Sequence, residues 1–148
     1  MILYLDTSAL VKKYFEEEHS AEVISAWKSA LGIVTSAVAY AELLAAIYRK
    51  ASETQVKRSW FERVTAAFDE DWSSFIVVEV NNRLNEAIHK VIANHGLRGF
   101  DAIHLSSALT VGAAIAEEFI LPATINGSGR PPGPRVCRRF QLYNQCDY

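Results

Sequence analysis

Three acidic side chains lie at points of the sequence where a carboxylate is costly to bury without a partner. Asp6 ends the apolar run "ILYL", Glu42 lies inside the apolar stretch "VAYAELLAAI", and Asp101 follows the glycine-containing loop "HGLRG". If the three converge, their mutual repulsion calls for a cation, because two unit charges about 4 Å apart cost roughly 4 kcal/mol at an effective dielectric near 20. The acids therefore raise the hypothesis of a metal site.

The types of donor atom indicate which cation such a site would hold. All three acids are oxygen donors, and the two cysteines, Cys137 and Cys146, lie near the C-terminus without a zinc-site spacing. Oxygen donors favour Mg²⁺ or Mn²⁺ over zinc, and a carboxylate-held Mg²⁺ keeps waters and binds phosphate groups. The chemistry that this set would support is metal-dependent hydrolysis of a phosphodiester, with water as the nucleophile.

Each of these residues also has a purely structural interpretation. Asp6 and Asp101 precede helical patterns and can be N-caps, and an isolated Glu42 is more often a solvated helix residue. His104 shares a helix face with Asp101 and can contact a substrate phosphate, shuttle a proton, or be satisfied within the fold. Arg98 can pair with an acid or a phosphate, or form a structural salt bridge.

The composition is typical of one globular domain of 148 residues, with 50% hydrophobic and 22% charged residues. The formal net charge of −2 gives no overall basic signal for a nucleic-acid-binding module. It does not exclude an enzyme that acts on nucleic acid through metal ions. No secretory signal and no stretch long enough to cross a bilayer is recognised, so we expect a cytoplasmic protein without a membrane partner.

The elements that must position the acids alternate between strand and helix patterns. Strands are predicted at 2–5, 32–35, 75–80, 117–123 and 140–143. Helices are predicted at 8–15, 20–30, 36–50, 52–72, about 81–95 and about 101–112, with N-caps at Ser20, Ser52 and Asn81 or Asn82. This order predicts a parallel sheet covered by helices, in which ligands bind beyond the carboxyl ends of the strands.

Three motifs together resemble the PIN-domain family, and most of all the toxin ribonucleases of VapBC-type bacterial toxin–antitoxin pairs. They are "MILYLDTSALVKKYFEEE", "TSAVAYAELLAAI" and "HGLRGFDAIHLSSAL", each centred on one of the three acids. The similarity runs from residue 1 to about residue 125. It implies a single domain over 1–148 with a three-layer α/β/α fold and a central, mainly parallel sheet.

The resemblance also implies roles for individual residues. Asp6, Glu42 and Asp101 would be the catalytic residues and the ligands of Mg²⁺ or Mn²⁺. A hydroxyl of Thr7 or Ser8 would orient a carboxylate or a water, a kind of support that metal sites usually need. The family implies an RNA substrate, a cognate antitoxin protein and a homodimer.

The sequence departs from the family at the fourth expected acid. The family usually carries Thr-x-Asp after the fourth strand, whereas "ATING" puts Thr124 in register and Asn126 in place of the Asp. An Asn offers a carbonyl oxygen but no charge, so a second ion would bind more weakly. The stretch 126–139, rich in Pro, Gly and Arg, is expected to be irregular where the family has a helix. It reflects either an out-of-frame reading of a helix-coding stretch or a genuine irregular tail.

Three functions follow from these patterns. The first is a metal-dependent endoribonuclease that acts as the toxin of a toxin–antitoxin pair. The second is a catalytically impaired PIN domain that binds an antitoxin or RNA, which the Asn at position 126 favours. The third is an RNA-processing nuclease outside any toxin pair.

Overall fold

Strands and helices alternate along the chain, largely as the sequence pattern predicts. The computed structural model describes residues 1–54, 56–115, 119–121 and 135–137. The strands are β1 (Ile2–Tyr4), β2 (Gly32–Ser36), β3 (Ile76–Val78), β4 (Phe119–Leu121) and β5 (Arg135–Cys137). The helices are α1 (Thr7–Tyr14), α2 (Ser20–Ser29), α3 (Val38–Thr54), α4 (Arg58–Ser74), α5 (Asn82–His95) and α6 (Gly99–Ala114).

The five strands form one sheet in the order β3-β2-β1-β4-β5, with β1 in the centre. The pairs β1–β2, β1–β4 and β2–β3 are parallel, and β5 is antiparallel to β4. The predicted mainly parallel sheet is confirmed. Because parallel strands end at the same edge, the start of α1 after β1 and the start of α3 after β2 come to one edge of the sheet.

Strands β1 and β2, in the middle of the sheet, are covered on both faces. Leu3 and Ile33, which lie opposite each other in the β1–β2 register, face a core formed with α1, α2, α3 and α4. Tyr4 and Val34, the next pair in the register, face Ala108 of α6, and α5 packs against α6. Side chains alternate between the faces of a strand, so a strand covered on both faces reads as an unbroken apolar run. The three-layer α/β/α prediction is confirmed.

Two predicted helix caps are wrong. Ser52 lies inside α3, which runs on to residue 54, and α4 begins only at Arg58. No Gly or Pro interrupts the sequence around Ser52, so nothing there ends the helix. Ser20 is the first residue of α2 rather than its N-cap. Its buried hydroxyl donates to the backbone oxygen of Phe15 at 3.1 Å and closes the turn between α1 and α2.

Local signals set both ends of α5, the helix that precedes α6. The predicted cap at Asn81 is confirmed, since its side chain accepts hydrogen bonds from the backbone N–H groups of Arg83 and Leu84. Gly96 ends α5 with φ +62°, in the left-handed region that glycine enters without a steric penalty. Three residues later, at Gly99, α6 begins.

The C-terminal expectations are tested only in part. Residues 135–137, placed by the sequence in an irregular stretch, instead form β5. This tripeptide contains no proline, so its backbone groups are free to pair with the edge of β4. The rest of 126–139 and the predicted strand 140–143 lie outside the described residues. No helix in the described part of the chain is long and apolar enough to span a membrane.

Candidate active site

Asp6 follows β1 and is the N-cap of α1. Its Oδ1 accepts hydrogen bonds from the backbone N–H of Ala9 at 2.8 Å and from the hydroxyl of Ser8 at 3.0 Å. The capping interpretation of Asp6 is therefore confirmed. The side chain is almost fully buried, and it places a negative charge at the carboxyl edge of the central strand.

Glu42 reaches the same edge from α3. Its Oε2 accepts a hydrogen bond from the hydroxyl of Thr7 at 2.5 Å and lies 3.0 Å from Nε2 of His104. Glu42 is half-buried, so it is not the freely solvated residue that the structural alternative describes. Thr7 and Ser8, the two hydroxyl residues after Asp6, each donate to a carboxylate.

His104 is the centre of a buried polar network. Only 4% of the residue is exposed. Its Nδ1 lies 3.0 Å from the hydroxyl of Tyr4, and its Nε2 lies 3.2 Å from the hydroxyl of Thr7 in addition to Glu42. The network joins β1, α1, α3 and α6. Of the interpretations left open for His104, a histidine satisfied within the fold is the one that the structure confirms.

Tyr4 reports the electrostatics of this region. Burial raises the pKa of its phenol well above the ordinary value of 10.0. The negative charges of Asp6 and Glu42 add to the rise. The phenol therefore stays protonated at neutral pH, and its pKa depends on the charges of both carboxylates.

Asp101 lies in the first turn of α6 and is exposed to solvent. The N-cap of α6 is Arg98, so the capping interpretation of Asp101 is wrong. The reason is that the helix begins at Gly99, two residues earlier than the sequence pattern predicts. No ion pair joins Arg98 to another residue within the described part of the chain.

An open cleft of about 470 Å³ lies between α3 and the start of α6. It is lined by Glu42, Arg98, Gly99, Phe100, Asp101 and Ile103. The structure thus brings two of the three predicted acids to one cleft. The third, Asp6, is not among the lining residues and is connected to Glu42 through the adjacent Thr7.

The three acids do not form a closed cage. Within the described ranges, no three His, Cys, Asp or Glu side chains are arranged so that they could hold one metal ion. Thr124 and Asn126 lie outside those ranges. The three-ligand centre built from Asp6, Glu42 and Asp101 therefore stays a prediction.

The donors of the cleft nevertheless fit a hard cation. Mg²⁺ keeps several of its waters and is commonly held by one or two carboxylates together with substrate phosphates. Glu42 and Asp101 provide two carboxylates on one cleft that is open to solvent, which leaves room for waters and a phosphate. The side chains therefore suit Mg²⁺ or Mn²⁺.

Phe100 is a cleft residue that the sequence reasoning missed. It is 57% exposed beside Arg98 and Asp101. Exposed large aromatic side chains are commonly found at binding surfaces. The available signal was its place in "LRGFD", between a glycine and an acid, but the sequence does not say whether the ring is buried.

Comparison with known proteins decides the family. The PIN domain family matches residues 3–119. The chain belongs to the PIN-domain family. Ribonucleases VapC45 and VapC49, from two strains of Mycobacterium tuberculosis, are each 30% identical to it over 111 residues, covering 75% of this chain and 77% of theirs. The resemblance to the VapC-like branch of PIN domains is confirmed.

Solved structures share the fold. A toxin–antitoxin complex from Klebsiella pneumoniae superposes with a TM-score of 0.58 at 19% identity, over 88% of this chain and 93% of that chain. Mycobacterium tuberculosis VapC20, described as a sarcin-ricin loop cleaving toxin, superposes with a TM-score of 0.56 at 16% identity, over 76% of this chain and 84% of that chain. VapBC2 from Rickettsia felis, bound to a promoter DNA fragment, superposes with a TM-score of 0.53 at 16% identity, over 76% of this chain and 83% of that chain.

Proposed function

We propose that this PIN domain is a metal-dependent endoribonuclease and the toxin of a toxin–antitoxin pair. The observation that carries the proposal is the cleft in which Glu42 and Asp101 meet, at the start of α6, although 59 positions separate them in the sequence (101 − 42). The ribonuclease relatives support RNA as the substrate. The fold places this cleft where α/β sheets commonly bind their ligands.

Glu42 and Asp101 would hold the ion, with the buried charge of Asp6 beside them. When bound, Mg²⁺ or Mn²⁺ supplies stabilisation of the charge that develops on the phosphate oxygens and activation of a water for attack. The hydroxyls of Thr7 and Ser8 hold two of the carboxylates in fixed orientations. This preorganisation avoids a reorganisation cost when the substrate arrives.

The rim of the cleft supplies contacts for the rest of the RNA. Arg98 is exposed and presents a planar guanidinium that can donate two hydrogen bonds to a phosphate. Phe100 offers an exposed ring on which a base can stack, as in many single-strand binding sites. Together they would place a phosphodiester over the two carboxylates.

The direct test compares Glu42→Gln with Glu86→Gln. Both change a helical Glu to its amide, but Glu86 is exposed on α5 and lies away from the cleft. We expect Glu42→Gln to lower RNA cleavage by about 100-fold or more and to weaken Mn²⁺ binding measured by calorimetry. Glu86→Gln serves as the matched control and is expected to behave as the wild type.

EDTA is expected to stop cleavage, and added Mn²⁺ to restore it. Wild-type cleavage by Glu42→Gln would overturn the proposal.

We also propose a cognate antitoxin and a homodimer. Two of the solved structures that share the fold are a toxin–antitoxin complex and a VapBC pair bound to promoter DNA. A small adjacent gene for a DNA-binding protein, whose product inhibits cleavage when it is co-expressed, is the expected result. Light scattering is expected to give twice the chain mass of 16.5 kDa. The absence of such a gene would favour an RNA-processing role.

A second candidate is a catalytically impaired PIN domain that serves as a binding partner. It is favoured by the Asn at position 126, where the family resemblance implies an Asp. It is also compatible with the lack of a three-donor metal group in the part of the chain described. Binding of Mn²⁺ and of the antitoxin without any RNA cleavage would support this candidate over the nuclease.

A further inference from the structure

We propose that His104 is a positioning residue for Glu42. It would hold one carboxylate oxygen through a fixed imidazole N–H and leave the other oxygen to bind the cation. This role rests on the proposed function, because it concerns the same carboxylate. His104 is too deeply buried to touch a substrate, so this role acts through Glu42.

The contacts of His104 account for both of its ring nitrogens. Nδ1 lies 3.0 Å from the hydroxyl of Tyr4, and Nε2 lies 3.0 Å from Oε2 of Glu42. Tyr4 belongs to the central strand and is only 2% exposed, so it ties the ring to the buried middle of the sheet. An imidazole held at both nitrogens has little freedom to rotate.

The protons of the network can be assigned from its partners. An ionised Glu42 carboxylate only accepts hydrogen bonds, so Nε2 of His104 carries the proton and donates it. In the neutral imidazole Nδ1 is then an acceptor, and the hydroxyl of Tyr4 donates to it. The chain of hydrogen bonds runs from Tyr4 to His104 to Glu42.

Both hydrogen bonds to Glu42 end on the same oxygen. Thr7 donates to Oε2 at 2.5 Å, and Nε2 of His104 lies 3.0 Å from that atom. Two donors on Oε2 define the plane of the carboxylate and leave Oε1 as the oxygen to offer to a cation. A carboxylate oriented in this way binds a metal with one oxygen, and partners of this kind commonly change metal affinity 10–100-fold.

The same histidine also joins the two acids of the cleft. His104 lies one helical turn after Asp101 on α6, and its bond to Glu42 ties α6 to α3. The distance between the two carboxylates therefore depends on His104. Its loss would affect both the orientation of Glu42 and the spacing of the cleft.

The test uses two amide replacements of different length in the full chain. The terminal amide N–H of Gln reaches about as far as Nε2 of histidine, whereas the shorter Asn side chain ends near Nδ1. We expect His104→Asn to weaken Mn²⁺ binding about tenfold, measured by calorimetry on folded protein. His104→Gln is expected to stay much closer to the wild-type affinity. Equal Mn²⁺ affinity in wild type and His104→Asn would overturn the role.

A second measurement needs no variant. The ¹⁵N chemical shifts of the imidazole in the wild-type protein are expected to show a protonated Nε2 and an unprotonated Nδ1 for His104. Protonation at Nδ1 instead would overturn the assignment, whatever the stability of the variants. Failure of the proposed metal site is distinguishable, because then Glu42→Gln itself would leave Mn²⁺ binding unchanged. Failure of the nuclease activity alone would appear as Mn²⁺ binding by the wild type without RNA cleavage. If Glu42→Gln weakens binding and His104→Asn does not, only the positioning role fails.

Discussion

The hydroxyl of Thr7 donates a hydrogen bond to Oε2 of Glu42 at 2.5 Å, across 35 positions of sequence. A hydrogen bond to a charged group contributes about 1.5–3 kcal/mol, so its loss should disturb the orientation of the carboxylate. We expect Thr7→Val, which keeps the shape but removes the hydroxyl, to lower RNA cleavage by about tenfold or more. Thr7→Ser keeps the donor and is expected to retain most of the rate. Equal rates for the two variants would contradict the role of the hydroxyl.

The two functions of Asp6 can be separated by two substitutions. Asn is as good an N-cap as Asp, whereas Ala removes the cap and costs about 0.5–2 kcal/mol. We expect Asp6→Asn to keep the unfolding free energy of the wild type in urea titrations, and Asp6→Ala to lose about 1 kcal/mol. Both are expected to lose RNA cleavage, because both remove the charge. An active Asp6→Asn variant would show that the charge is not needed.

Phe100 is expected to contribute to RNA affinity rather than to the metal site. Stacking of a base on an aromatic ring contributes about 1–3 kcal/mol, so Phe100→Ala should raise the KM for RNA by roughly 5- to 150-fold. Phe100→Trp, which keeps an aromatic face, should raise it far less. Calorimetry with Mn²⁺ is the control, since the ring is not a metal ligand. An unchanged KM in Phe100→Ala would exclude stacking on this ring.

The stability of the fold is expected to fall at alkaline pH because of Tyr14. Its hydroxyl donates to Asp71 at 2.6 Å, and burial, the hydrogen bond and the charge of Asp71 all raise the pKa of the phenol. Above the ordinary value of 10.0, the unfolded chain releases this proton while the folded chain keeps it. The free energy of unfolding should therefore drop by about 1.4 kcal/mol per pH unit above that value.

Tyr14→Phe isolates that contribution. The variant has no phenol proton, so its unfolding free energy should decline less steeply than that of the wild type between pH 9 and pH 11, two values that bracket the ordinary pKa of about 10. Urea titrations at each pH give the comparison. Tyr4 is present in both proteins, so its contribution to the pH dependence cancels when the two unfolding free energies are subtracted. Parallel curves for the two proteins would mean that the Tyr14 phenol ionises equally in the folded and unfolded states.

The sheet and the rough positions of the acids could be predicted because they depend on local patterns. "ILYL" shows no alternation, which indicates a strand covered on both faces, and an acid directly after it must lie at the sheet edge. The cap at Asn81 is equally local. Helix ends were less predictable: α3 passes through Ser52 because nothing stops it, and α6 begins before Asp101.

The partnerships within the site could not be predicted in the same way. His104 contacts Tyr4 and Glu42, which lie 100 and 62 positions away. Those contacts depend on how α6 packs on the sheet, and no spacing in the sequence carries that information. The position of Phe100 in the cleft has the same origin, since the second residue of α6 becomes a cleft residue only when α3 and α6 come together.

The hydrogen-bonded residues of the site lie far apart in the sequence, and this affects when the site forms during folding. The hydrogen bonds of the network join residues 35, 62, 97 and 100 positions apart, and closing such long loops is a slow part of folding. A growing chain that has not yet produced and docked α6 holds Glu42 through Thr7 alone and has no Asp101 opposite it. In the proposed nuclease, a newly made molecule begins to cleave RNA only after α6 has docked. This delay gives a partner protein time to bind first.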